Sequence, residues 1–186
     1  MDLLDALDLA ADEFARRLAG VGDDQWTSST PCDEWDVSGL VAHVVGGNRF
    51  TALVLDGAAA DGALHTVMAE AQLGDDALGA FRSTAGDQRR GFRAARPDAV
   101  VDHVVGPIAV SRFLGFRVFD IAVHAWDLAT GIGADTRLDT GLVDAVLAVI
   151  DAEAPGTDFG IIAVGRAGPT ADPQTLLLDR AGRTAR

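Results

Sequence analysis

Asp120 and His124 stand four positions apart in the stretch 111–129, which is otherwise almost wholly apolar. Side chains at that spacing lie over one another on one face of a helix, so a carboxylate and an imidazole there can grip a single cation together. Arg117 and Asp127 extend the set at intervals of three, so that Arg117, Asp120, His124 and Asp127 form one polar stripe. A helix apolar on its other sides is packed on those sides, and the stripe faces either solvent or an internal polar cavity. An outer face carrying an Asp/His pair is the first alternative. His43 speaks for the second. It lies in a further apolar stretch, 37–55, with no charge within five positions on either side. Two histidines and one carboxylate with an open position suit a divalent transition metal. Gly46 and Gly47, a turn beyond His43, allow either the close approach of a bound molecule or tight helix packing.

The elements that hold these residues follow from caps and periodicity. Residues 3–18 space Leu, Ala and Phe as a helix and end at Gly20. Thr30 followed by Pro31 predicts a short capped turn through Cys32 and Trp35, after which Asp36 caps a helix that carries His43 to about Leu55. Residues 56–62 read as a small-residue loop, 64–95 as a third helical region interrupted near Gly74, and 97–106 as irregular or strand-like with four valines. The stripe-bearing helix is expected from about Pro107 to Thr130, with Gly131 and Gly133 as its stop. A further helix covers 140–152, followed by a tail with an apolar segment at 159–164 and a capped segment from Asp172 to Gly182. Long helices with short connections predict an all-α helical bundle, in which sites are built from side chains on facing helices.

The chain has 186 residues, 48% of them hydrophobic, enough for one domain with a sizeable core. Its start lacks the basic residues of a signal peptide, and no apolar run approaches the roughly 18 residues that span a membrane. The expectation is a cytoplasmic protein with no membrane partner. Cys32 is the single cysteine, which excludes an internal disulfide and fits a reducing compartment. The net charge is −13 and every basic side chain is arginine, a balance that repels phosphate backbones, so no nucleic-acid partner is expected. Arg82, Arg89, Arg90, Arg93 and Arg96 form the one concentrated basic run; it reads as a solvated face balancing acidic neighbours, or else as an anion-binding wall.

Residues 30–48, TPCDEWDVSGLVAHVVGGN, followed by 120–131, DIAVHAWDLATG, resemble the metal-binding domain of mycothiol-dependent maleylpyruvate isomerases, part of the wider DinB-like superfamily of four-helix metalloproteins. The resemblance runs from the first helix to about Gly133, and 176–183, LLLDRAGR, resembles the ending of a short metal-binding subfamily. It implies a single DinB-like domain over 1–186, with a four-helix bundle to about 152 and a short irregular C-terminal extension from 153 to 186. It also makes His43, Asp120 and His124 the three protein ligands of a divalent metal, zinc foremost. Two features depart from the family. The isomerase has glutamate where this chain has Asp120, one methylene shorter, and the residues after Gly133 are too few for the isomerase's additional C-terminal domain.

The implied function is a metal-dependent enzyme using a small thiol cofactor of the mycothiol type on an electrophilic substrate, for isomerisation or S-transfer. The alternative is a non-catalytic metal-binding or small-molecule-binding module. Arg117 either binds a carboxylate of substrate or cofactor or pairs with Asp120. Asp127 either orients a ligand or serves a surface contact, the latter being the expectation. Cys32 is expected to be a small apolar residue, and Trp26, Trp35 and Trp126 core or pocket-wall residues. His65 and His103 show no ligand spacing.

Overall fold

Each principal helix pairs an apolar face with an identifiable start. The computed structural model describes residues 1–33, 35–70, 73–153 and 171–183. Helix α1 (Leu3–Leu18) opens on Asp2, whose carboxylate accepts from the Asp5 N–H at 2.8 Å, and α2 (Val37–Leu55) opens on Asp36, which accepts from Gly39 at 2.8 Å. Then come α3 (Ala60–Ala69) and α4 (Ala77–Ala94), the latter capped by Asp76. A two-stranded antiparallel ribbon pairs β1 (Val100–Val101) with β2 (Ile108–Ala109), Val100 facing Ala109 and Val101 facing Ile108. The chain continues into α5 (Val110–Gly131), α6 (Thr140–Ala152) and α7 (Pro173–Arg180).

α1 packs on α5, α5 on α2, α2 on α4, and α4 back on α1, which closes a four-helix bundle. Leu7, Phe14, Leu40, Phe81, Phe113, Ile121 and Leu128 are fully buried at its centre, and each such side chain contributes about 1.5–3 kcal/mol by leaving water. Phe14 meets Phe81 across α1 and α4 with ring centroids 4.7 Å apart. α3 lies against α2, while α6 covers α5 and α1 and is itself covered by α7. The fold is all-α, as the sequence predicts. Among the described residues, no helix is long and apolar enough to cross a membrane.

The interruption expected near Gly74 is found: residues 64–95 fall in two helices, α3 and α4, and Gly74 between them takes a φ of +57°, which only glycine adopts readily. Two boundaries differ from the sequence reading, each for a non-local reason. α3 begins at Ala60, inside the segment expected as loop, because the Asp102 carboxylate reaches across to accept from the Ala60 N–H at 2.9 Å. α5 starts at Val110 rather than near Pro107, because Ile108 and Ala109 are drawn into the ribbon. Its first N–H groups are satisfied by the carbonyls of Ala99 at 2.9 Å and Pro97 at 3.0 Å. The capped segment from Asp172 forms α7, whereas the apolar segment at 159–164 lies outside the described residues.

His103 proves to be a core residue. Its ring lies 4.7 Å from that of Phe113 and 5.7 Å from that of Phe50. Burial, reinforced by the charges of Arg117 and Arg112, lowers its pKa from an ordinary 6.5 to about 4. The folded chain therefore keeps this ring neutral where the unfolded chain protonates it. The stability it contributes is complete above pH 6.5 and is lost as the pH falls towards 4. Replacing His103 by Leu should flatten the dependence of the urea midpoint on pH across this window; an unchanged slope would remove His103 as its source.

Candidate metal centre

The loop before α2 and the middles of α2 and α5 build one cluster. Thr30 Oγ1 accepts from the Cys32 N–H at 3.2 Å and donates to the Trp35 carbonyl at 2.7 Å, giving the short turn that the Thr-Pro pair predicts. Trp35 then packs on Gly39 of α2; a Cβ at that glycine would lie 3.2 Å from the indole. This delivers the Trp35 ring onto His43, stacked at 4.2 Å between centroids and 24° between planes. The end of α5 comes close to the same loop at Gly131, where a Cβ would lie 3.3 Å from the Ser29 carbonyl. The two helices are thereby held with His43 facing Asp120 and His124.

His43 Nε2 is 3.2 Å from Asp120 Oδ1, and His124 Nε2 is 3.5 Å from the same oxygen. One ligand atom from each of the three residues lies within 4.8 Å of the others, the group among the described residues with such geometry. Ligand atoms on a tetrahedral zinc ion are separated by about 3.3 Å, the edge given by bonds of about 2.0–2.1 Å. Both distances from Asp120 match that edge. The donor set of two imidazoles and a carboxylate fits zinc or a similar divalent ion.

The atoms that do not face this point are engaged elsewhere. Asp120 Oδ2 accepts from Arg117 Nη1 at 2.8 Å, so only Oδ1 is offered. Arg117 lies behind the carboxylate, with its Nη2 donating to Asn48 Oδ1 at 2.9 Å and its Nε to Gln88 Oε1 at 3.3 Å. Asn48 and Gln88 are themselves fully buried and joined at 2.6 Å. Gly47 makes room for the guanidinium, since a Cβ there would stand 2.5 Å from Arg117 Nη1. Arg117 thus pairs with Asp120, one of the two roles the sequence leaves open to it.

His124 presents Nδ1 to Asp127 Oδ2 at 3.0 Å, which orients its ring. Asp127 is completely buried, not the surface contact that the sequence suggests. It is gripped at both oxygens by Arg183, from Nε to Oδ1 at 3.0 Å and from Nη2 to Oδ2 at 2.7 Å. The stripe on α5 thus faces an internal polar site: Arg117, His124 and Asp127 are buried, and the Asp120 side chain is 21% exposed.

The electrostatics follow from this packing. Burial alone would raise the Asp120 carboxyl, but Arg117, His43 and His124 outweigh it and hold the group well below the usual range. Burial likewise opposes charge on His124, yet Asp120 and Asp127 together raise its pKa to about 9. Asp127 is lowered by His124 and Arg183 against the effect of its burial. The packing thus favours positive charge on His124 between the carboxylates of Asp120 and Asp127.

Elsewhere the basic run is largely paired with acids: Arg89 and Arg93 with Asp8, Arg90 with Asp87, and Arg96 with Asp98. Trp126 is core, and Cys32 is partly buried. Sequence reasoning missed Asn48, Gln88 and Arg183. Nothing local marks Arg183, because the residue it serves is 56 positions away.

The chain matches the family described as mycothiol maleylpyruvate isomerase N-terminal domain over residues 7–129. It is 35% identical over 147 residues to uncharacterized proteins of two Mycobacterium tuberculosis strains, a match covering 76% of this chain and 74% of each relative. The crystal structure of the mycothiol-dependent maleylpyruvate isomerase shares the fold with a TM-score of 0.57 at 16% identity, over 82% of this chain and 69% of that one. A point mutant of that isomerase aligns over the same shares with a TM-score of 0.62 at 18% identity. By the extent of the family match, the chain belongs to the mycothiol maleylpyruvate isomerase N-terminal domain family.

Proposed function

We propose that His43, Asp120 and His124 hold a divalent metal, zinc foremost, and that the protein is an enzyme using a small thiol of the mycothiol type on an electrophilic substrate, by isomerisation or S-transfer. The observation that carries this reading is the direction of the spare atoms. Asp120 Oδ2 is taken by Arg117 and His124 Nδ1 by Asp127, so Oδ1 and Nε2 are turned to a common point with His43 Nε2. A zinc ion held there supplies Lewis acidity that makes a thiolate available at neutral pH. Trp35, stacked on His43, walls one side of the site and fixes that ring. Arg117 keeps Asp120 ionised and ready to bind a cation.

The relation to mycothiol rests on family membership. Titrating the zinc-loaded protein with mycothiol, by calorimetry in buffers of different ionisation enthalpy, should show release of about one proton near neutral pH, because the thiolate is the form that ligates zinc. The metal-free protein should not bind the thiol. Equally tight binding without metal, or none with it, would leave the non-catalytic binding module as the better reading.

A further inference from the structure

We propose that Arg183, on the turn that ends α7, is a positioning residue for the metal centre, acting through Asp127 on His124. This rests on the metal reading above and extends the site to a segment outside the matched residues 7–129.

The turn is built to place this one side chain. α7 ends with the Gly182 N–H on the Asp179 carbonyl at 3.1 Å and the Arg183 N–H on the Leu178 carbonyl at 2.7 Å, the paired closure of a Schellman motif. Gly182 sits at φ +71°, where a side chain would be strained. Leu177, Leu178 and Ala181 are buried and pin the segment to the domain. Arg183 is thus delivered with its backbone fixed.

Its side chain is equally constrained. Nη1 donates back to the Ala181 carbonyl at 3.0 Å, while Nε and Nη2 span the two oxygens of Asp127. A bidentate grip fixes the plane of the carboxylate, not merely its distance. With that plane set, Asp127 Oδ2 meets His124 Nδ1 from one direction, and the opposite nitrogen of the ring is aimed at Asp120 Oδ1 and His43. Without Arg183, the fully buried Asp127 carboxylate would lose both contacts that hold its plane, and the His124 ring would lose its fixed bearing.

The test compares Arg183→Met, Arg183→Gln and Arg183→Lys with the wild type. Co²⁺ serves as the probe, read by its visible ligand-field spectrum and by chelator competition, with far-UV circular dichroism as the check on folding. Outer partners of metal-bound histidines contribute about ten- to hundredfold in affinity. Arg183→Met should weaken Co²⁺ binding by about that factor and alter the spectrum while helix content stays constant. Lysine should restore only part of the loss, since one ammonium cannot span both oxygens. If the methionine variant does not fold, the glutamine variant, which retains one bond to Asp127, should show the same loss in smaller measure. Wild-type affinity and spectrum in a folded methionine or glutamine variant would overturn the proposal and leave the metal reading standing. Failure of the wild type to bind Co²⁺ would overturn both.

Discussion

Replacing His124 by alanine should abolish metal binding and leave the helical fold in place. The variant loses one of three protein ligands, so the loss of affinity should exceed the about ten- to hundredfold expected for an outer partner. Alanine is the strongest helix former, and Ala122, Val123 and Ala125 around the site are buried in apolar contacts that the substitution does not touch. Asp127 keeps Arg183, so no carboxylate is left without a partner. Zinc stoichiometry by elemental analysis, alongside far-UV circular dichroism, separates the two effects. Equal metal content in wild type and variant would refute the ligand assignment, whatever the stability change.

Arg117→Met should have the opposite signature, a large loss of stability from a residue that is not itself a ligand. The guanidinium is nearly buried and holds Asp120, while Asn48 and Gln88 present it with acceptor oxygens. Removing one partner of a buried ion pair costs about 3–5 kcal/mol where the other charge is left uncompensated; His43 and His124 remain beside Asp120, which places the expected loss at the lower end of that range. Gly47→Ala attacks the same group from α2, since its Cβ would press on a guanidinium fixed on three sides; overpacking of this kind costs about 1–3 kcal/mol. Urea denaturation of the metal-free proteins measures both. An Arg117→Met variant within about 1 kcal/mol of wild type would show that the pair with Asp120 contributes little.

The contacts that build the site differ in how far they reach along the chain. Local signals sufficed for three starts: Asp2, Asp36 and Asp172 each bind an N–H within three residues, and the helices that follow begin where the sequence predicts. The four-residue spacing of Asp120 and His124 likewise determined that the two share a face, since helical geometry alone sets it. That His43 belongs with them was suggested by its apolar surroundings and by resemblance, and its 3.2 Å approach to Asp120 shows that the helices meet as that reading requires.

What the tertiary structure decided was the side of the stripe and the company it keeps. A polar stripe on an apolar helix is compatible with solvent or with an internal site, because periodicity records amphipathicity and not what lies opposite. Closure of the ring formed by α1, α5, α2 and α4 put Gln88 and Asn48 against Arg117. The return of the chain through α7 put Arg183 against Asp127, turning an expected surface aspartate into a completely buried one. The start of α3, set by Asp102 from 42 positions away, has the same origin. Partners so distant in sequence leave no periodic trace, and only packing, which places them within hydrogen-bond reach, determines that they pair.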